Sequence, residues 1–199
     1  MLTKLILIRH GETSWNSQRR YCGSTDVALS ENGKRQVRRL AIRLKSEKID
    51  KIYSSDRKRA IQTAKIIFKN SQIEKLPDLQ EIHFGCFEGL THNQILEKHP
   101  DLYKKWLKDP YRTAIPCGEK LPDFKKRITR IFKKIISLNS GKTIAVACHG
   151  GSISIFITGI LKNRNFWKYI PGPASITIVE HKKGKNGKNY FHLRWRKKR

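Results

Sequence analysis

An arginine and a histidine stand side by side directly after a short apolar run near the start of the chain. The run covers residues 5–8, and Arg9 and His10 follow it. Four consecutive apolar residues predict a buried β-strand, and ligands of open α/β sheets bind at the carboxyl ends of their strands. An arginine there can hold a phosphate through paired hydrogen bonds, and a histidine nitrogen can attack phosphorus. The pair predicts phosphoryl chemistry at this strand end.

Two later segments repeat the pattern. Residues 49–54 read as a second strand followed by the basic run 57–59, and residues 143–148 read as another strand followed by His149 and Gly150. If these strands are parallel neighbours, their cations converge on one crevice. A glycine after the histidine lets the backbone approach a ligand closely, and the helix that follows points its N–H groups at an anion.

The elements that must position these residues alternate along the chain. Apolar runs predict strands at 5–8, 49–54, 73–76 and 143–148, and two further strands at 175–180 and 190–195. Stripes at helical spacing predict helices over 30–46, from Asp56, from Leu121 and over 152–161. This alternation predicts an α/β fold, a three-layer α/β/α sandwich with a mostly parallel central sheet. The last two strands are expected to add an antiparallel edge.

We expect one domain over residues 1–199, with an inserted lid or wall at about 77–116. A chain of this length can bury a full core without disulfides. Two short helices are expected inside the insertion, around 93–98 and 102–108.

The chain is strongly basic, with 43 Lys and Arg against 16 Asp and Glu and a formal net charge of +27. Three interpretations are open: a solvated basic surface, attraction of anionic substrates, and nucleic-acid binding. The densest runs are 35–43 and 194–199, and no aromatic-rich RNA-binding motif accompanies them. Nucleic acid is therefore not the expected partner.

The four cysteines are widely spaced and form no Cys-x-x-Cys pair. Neither a zinc site nor a redox pair is expected, and a reducing, cytoplasmic compartment fits. The first apolar run is too short for a signal peptide. Residues 143–161 are largely apolar, but the polar and glycine residues at 149–151 interrupt them, so a strand, turn and helix are expected rather than a membrane span.

Four segments resemble, in order, the signature motifs of the histidine phosphatase superfamily, which has the phosphoglycerate mutase-like fold. They are residues 7–13 (LIRHGET) with Asn16 beyond them, 54–64 (SSDRKRAIQTA), 81–89 (EIHFGCFEG) and 148–151 (CHGG). Together they span nearly the whole chain.

The resemblance implies a role for each matching residue. His10 becomes a phosphohistidine, and Glu81 is the proton donor, with the nearby Glu88 as the alternative acid. Arg9, Arg59 and His149 bind the phosphate, together with Asn16, Gly23 and Gly150. No metal and no cofactor are expected. The spacing of His83, His92 and His99 leaves a metal site as a weaker alternative.

Within that superfamily, residues 114–119 (AIPCGE), with Phe124 and Arg127, and residues 171–175 (PGPAS) are similar to α-ribazole phosphatases. This resemblance implies removal of the 5′-phosphate of α-ribazole phosphate during cobalamin nucleotide-loop assembly. Lys120 departs from it, since relatives usually carry serine there. The expected partner is a small phosphorylated metabolite.

Other functions stay open at this stage: a phosphatase acting on another small phosphomonoester such as a sugar phosphate or phosphoserine, and a phosphoglycerate mutase. The chain is short for a mutase, which must also exclude water from its phosphoenzyme. A non-catalytic anion- or nucleic-acid-binding protein is the alternative from a different class. The sequence does not determine the oligomeric state, and a homodimer is one option.

Overall fold

The computed structural model describes residues 1–184 and 187–195 of the 199. Residues 196–199 of the basic run noted above lie outside the described residues. Within the described part, no helix is both long enough and apolar enough to span a membrane.

A six-stranded sheet forms the centre of the molecule. Its strands are β1 (Leu2–Arg9), β2 (Lys51–Ser54), β3 (Glu74–Lys75), β4 (Thr143–Cys148), β5 (Ile176–Lys183) and β6 (Asn189–Trp195). They lie in the order β3-β2-β4-β1-β5-β6. The first four are parallel, and β5 and β6 run antiparallel at one edge. The predicted mixed sheet is confirmed.

The register of the parallel strands brings their carboxyl ends to one place. Arg9 of β1 pairs with Cys148 of β4, and Ser54 of β2 pairs with Ala147. The His10 amide extends this ladder by donating to the Cys148 carbonyl at 3.0 Å. The residues that follow β1, β2 and β4 therefore meet at one edge, as the sequence predicted.

Helices cover both faces of the sheet. The helices of the described residues are α1 (Ser14–Ser17), α2 (Glu31–Leu44), α3 (Lys58–Phe68), α4 (His92–Lys98), α5 (Pro100–Lys108), α6 (Leu121–Leu138) and α7 (Gly150–Ile160). Successive side chains of a strand point to opposite faces. Ile6 and Ile8 of β1 accordingly pack in one apolar cluster with Leu40 of α2. Leu5 and Leu7 pack in the other cluster, which holds the apolar stripe of α6. The predicted three-layer sandwich is confirmed.

Several helix starts differ from the sequence predictions, and α5 begins at Pro100 rather than near residue 102. Helix α3 begins at Lys58 rather than Asp56, because its first amide donates at 2.7 Å to the carboxylate of Asp26 from a distant loop. The Asp56 carboxylate instead accepts from Gln80. Helix α7 begins at Gly150, two residues before the predicted start. The single turn α1 was not predicted, although Thr13 and Asn16 form a capping box there.

Residues 77–116 contain α4, α5 and two 3₁₀ turns, Pro77–Leu79 and Gly85–Phe87. Aromatic side chains tie this segment to the rest of the core: the Trp106 ring lies 5.8 Å from Tyr21 and 4.8 Å from Trp167. The segment contributes one wall of the cavity described below. That it moves as a lid stays a prediction.

Candidate active site

A cavity of about 380 Å³ opens at the carboxyl ends of β1 and β4. The predicted site residues that line it are Arg9, His10, Asn16, Glu81 and Gly150. Arg59 and His149 lie directly behind this lining, and both are fully buried. The structure thus gathers residues from five separate chain segments at the predicted edge of the sheet.

His10 lies at the cavity floor with only 4% of its surface exposed. Its Nδ1 lies 2.7 Å from the Gly11 carbonyl oxygen. A carbonyl only accepts, so Nδ1 carries the proton and Nε2 keeps a lone pair. Burial holds the pKa of His10 well below its usual range, and the nearby Arg59 and Arg9 guanidinium groups lower it further. The ring is therefore neutral and can act as a nucleophile.

Arg9 stands beside His10 at the cavity wall. Its Nη1 donates to the Pro171 carbonyl, whereas its buried Nε has no hydrogen-bond partner among the residues that the structure describes. A Cβ atom on Gly150 would come within 3.2 Å of the guanidinium carbon. The guanidinium thus packs against the start of α7, with a donor left over for an anion.

Arg59 is held by three acceptors. Its Nε donates to His149 Nδ1 at 3.2 Å, Nη1 to the Thr25 carbonyl at 2.8 Å, and Nη2 to the Gly23 carbonyl at 2.7 Å. A guanidinium has five N–H donors, so each terminal nitrogen keeps one N–H beyond these contacts. The arrangement fixes the orientation of the cation while leaving donors for phosphate oxygens.

His149 contacts the protein through both ring nitrogens. Nδ1 accepts from Arg59, so Nε2 carries the proton and donates to Ser55 Oγ at 2.9 Å. Its ring centroid lies 5.3 Å from that of His10, and burial, with Arg59 next, holds its pKa well below the usual range. His149 orients Arg59 in this structure. To donate to a phosphate, it would have to exchange one of these contacts.

Asn16 and Gly23 differ in how they meet the cavity. The Asn16 side-chain oxygen accepts from the amide and hydroxyl of Thr13, so the group it can present to a ligand is its NH₂. The Gly23 amide donates to Glu88 Oε1 at 2.8 Å, and Gly23 does not line the cavity. The structure therefore brings Asn16 to the cavity and uses Gly23 to hold Arg59.

Glu81 reaches the cavity from the 77–116 segment. Its two oxygens accept from the amides of Gly151, at 2.8 Å, and Ile82, at 3.0 Å. Burial raises the pKa of Glu81, although these amide bonds and the Arg9 charge oppose the rise. A Cβ on Gly151 would lie 2.3 Å from the carboxylate, so a larger residue there would displace the carboxylate from this position. A raised pKa favours the protonated form, which is the form that a general acid needs.

Glu88, the alternative acid, does not line the cavity. Its carboxylate accepts from the amides of Gly23 at 2.8 Å, Thr25 at 2.9 Å and Phe84 at 3.3 Å. These contacts hold the loop whose carbonyls bind Arg59. Of the two carboxylates, Glu81 therefore lines the cavity with His10 and Arg9, and Glu88 holds a neighbouring loop.

The three histidines of the 77–116 segment do not gather. His92 lines the cavity, where its Nδ1 lies 2.8 Å from the Tyr103 hydroxyl. Throughout the described ranges, no three His, Cys, Asp or Glu side chains group as ligands for a metal ion.

Several functional contacts were not predicted from the sequence. They involve Ser55, which holds His149, and Thr63, which accepts from the Gly11 amide at 3.1 Å. The paired serines of the second motif are a signal that could have pointed to Ser55. The carbonyl groups that bind the two arginines have no such signal, because every residue carries one.

We next compared the chain with known protein families and known proteins. The family model described as the histidine phosphatase superfamily (branch 1) matches residues 5–192. The chain is 39% identical over 155 residues to phosphoglycerate mutase-like protein 4 of Arabidopsis thaliana, covering 75% of this chain and 67% of that protein. It is 31% identical over 189 residues to phosphoserine phosphatase 1 of Hydrogenobacter thermophilus, covering 93% and 90%.

Solved structures show the same fold. The α-ribazole phosphatase of Shigella flexneri superposes with a TM-score of 0.83 at 24% identity, covering 96% of this chain and 95% of that one. A mutant phosphoserine phosphatase of Entamoeba histolytica in complex with phosphoserine superposes with a TM-score of 0.82 at 30% identity, covering 95% and 94%. Because the identity to the Shigella flexneri protein is only 24%, that similarity shows a shared fold and nothing further.

Proposed function

The chain belongs to branch 1 of the histidine phosphatase superfamily, and from this premise we propose that it is a metal-independent phosphomonoesterase acting through a phosphohistidine. One observation carries the proposal: the Nε2 lone pair of a neutral, buried His10 shares a cavity with the Arg9 guanidinium and the Glu81 carboxyl. A nucleophile, a phosphate-binding cation and a proton donor are then within reach of one phosphate.

The reaction follows from these groups in two steps. Arg9 and Arg59 bind the phosphate oxygens and stabilise the charge of the transferring group, where most of the catalysis of phosphoryl transfer lies. His10 Nε2 forms a bond to phosphorus as the P–O bond to the leaving group breaks, and Glu81 protonates the departing alkoxide. Glu81 then accepts a proton from the water that attacks the phosphohistidine and releases inorganic phosphate.

We propose α-ribazole 5′-phosphate as the substrate, as the residue resemblance implied. Support comes from the wall of the cavity beyond the phosphate position, where the aromatic rings include Tyr21, Phe84, Tyr103 and Trp167. Glu81, at the reacting end, is the one carboxylate among the described lining residues. A wall of this kind favours a flat, uncharged leaving group such as a benzimidazole riboside.

Phosphoserine is the second candidate. It is favoured by the identities of 31% and 30% to two phosphoserine phosphatases, which exceed the identity to the α-ribazole phosphatase. Arg19 and Arg20 line the cavity and could pair with its carboxylate. Its ammonium would have to rely on the aromatic faces for cation–π contact.

Turnover of a generic phosphomonoester in excess chelator tests the activity. We expect release of phosphate by the wild type, loss of turnover in His10→Ala, and acid-labile phosphate on the protein after rapid quenching. Unchanged turnover in His10→Ala would refute the mechanism. Tight, salt-sensitive binding of nucleic acid without turnover would favour the non-catalytic alternative instead.

Comparing kcat/KM across a panel identifies the substrate. The panel contains α-ribazole 5′-phosphate, phosphoserine, a sugar phosphate and both phosphoglycerates. A preference for α-ribazole 5′-phosphate supports the proposal, and a preference for phosphoserine replaces it with the second candidate. Interconversion of the phosphoglycerates faster than their hydrolysis would identify a mutase.

A further inference from the structure

A second, larger groove of about 970 Å³ lies between the carboxyl-terminal parts of α2 and α3. Strand β2 runs parallel to β4 and β1, and α3 follows β2 while α2 precedes it. Both helices therefore end at the amino-terminal edge of the sheet, opposite the edge where His10 lies. The groove takes no part in the proposed reaction.

The floor of the groove is apolar. Leu44 and Ile52 are buried beneath it, and Ile67 and Phe68 are partly buried against the same core. Ile42, on the α2 side, leaves 74% of its surface exposed. An exposed isoleucine that continues an apolar floor forms a contiguous patch, and such patches mark interaction surfaces.

The rim of the groove is basic. Arg38, Lys45, Lys65 and Lys69 line it, and Glu47, the one acid among its described lining residues, is in an ion pair with Lys4 at 2.6 Å. Lysines near helix carboxyl termini also complement the helix dipole. Arg38 lies in the middle of α2, where the dipole does not account for it.

We propose that this groove binds an amphipathic helix of a partner protein, with apolar residues against the floor and acidic residues against the rim. A helix of this kind buries one face in a groove and leaves the other in water, which suits a groove whose rim includes the exposed Ile42. A second copy of the chain would bring a further net charge of +27 to a basic rim, so charge disfavours self-association here. A simple polyanion would leave the apolar floor uncovered.

Fluorescence anisotropy of a labelled model peptide tests the proposal. The peptide is helical, with leucine on one face and glutamate on the other, and the control peptide has the same composition in scrambled order. Binding is measured for the wild-type full chain and for two groove variants of it, Ile42→Asp and Lys65→Glu. Matched controls are Leu138→Asp and Lys133→Glu on α6, where Leu138 is 64% exposed and Lys133 is exposed.

We expect the wild type to bind the patterned peptide and each groove variant to bind it about tenfold more weakly. The control variants should keep wild-type affinity, and all four variants should hydrolyse p-nitrophenyl phosphate at the wild-type rate. No binding, equal binding of the scrambled peptide, or no loss in Ile42→Asp would overturn the proposal. So would binding of phosphatidylglycerol vesicles that Ile42→Asp abolishes, without binding of the peptide, since the occupant would then be a lipid surface.

Discussion

Two carboxylates of one short segment have different surroundings, and these surroundings predict different roles for them. Glu88 accepts from three backbone amides, whereas Glu81 lines the cavity and has a raised pKa because of its burial. Glu81→Gln keeps one of the two oxygens that accept from backbone amides, and its NH₂ group replaces the other oxygen and removes the transferable proton. We expect kcat for an alkyl phosphate to fall by about 10²–10⁴-fold, the range of general acid catalysis.

The leaving group checks that role. p-Nitrophenolate departs without protonation. The rate of hydrolysis of p-nitrophenyl phosphate should therefore fall much less in Glu81→Gln than the rate of hydrolysis of an alkyl phosphate. The ratio of the two rates is the measurement. Equal losses for both substrates would show that Glu81 has a structural role and is not the acid.

The pH dependence of kcat/KM follows from the same two residues. The lowered pKa of His10 keeps its ring neutral as the pH falls below the ordinary histidine value of about 6.5. The raised pKa of Glu81 keeps its carboxyl protonated as the pH rises above the ordinary glutamate value of about 4.3. Activity is therefore expected in the acid range and should decline on the basic side as Glu81 loses its proton.

Comparison of the wild type with Glu81→Gln isolates the basic decline. Ionisation of the substrate phosphate, whose second pKa is about 6, affects both proteins alike. The decline due to Glu81 should be absent from the profile of the variant. If both proteins decline in the same way towards high pH, Glu81 is not the group that titrates.

At the scale of elements, adding a methyl group at two glycines of α7 is expected to have different effects, one on kcat and one on stability. A Cβ on Gly151 would lie 2.3 Å from Glu81 Oε1, while a Cβ on Gly159 meets nothing within 4 Å. We expect Gly151→Ala to displace the acid and lower kcat by about 10²-fold, as misplaced catalytic groups do. Gly159→Ala should raise the free energy of unfolding by about 0.5–1 kcal/mol and leave kcat unchanged.

Urea denaturation together with steady-state kinetics separates the two effects. The Glu81 carboxylate ends a flexible side chain, so Gly151→Ala should fold with little loss of stability. If Gly151→Ala keeps full kcat, the close approach of α7 to Glu81 is not required for catalysis.

What the sequence predicts about these elements depends on how local the signal is. The apolar runs of β1 and β4 and the Ser30 cap of α2 are local, and they predicted the sheet and the start of α2. The predicted start of α3 was wrong because the carboxylate that accepts from its first amide, Asp26, lies in a loop 32 residues earlier. The four motifs indicated residues that line the cavity or lie behind its lining, but only the fold shows that the Gly23 and Thr25 carbonyls hold Arg59.

At the scale of the whole molecule, the net charge of +27 predicts a salt effect on catalysis. A positive molecule whose cavity is lined by Arg9, Arg19 and Arg20 attracts a phosphate dianion over distances that screening limits. Between about 0.01 M and about 0.1 M salt, the Debye length falls from about 30 Å to about 10 Å. We therefore expect kcat/KM to fall with ionic strength through a rise in KM, while kcat stays constant because the bound substrate is already in place.

Equal ionic strength from sodium chloride and from sodium glutamate distinguishes screening from competition by chloride for the phosphate position. A kcat/KM that does not change in either salt would mean that the basic surface is only solvated and plays no part in substrate capture.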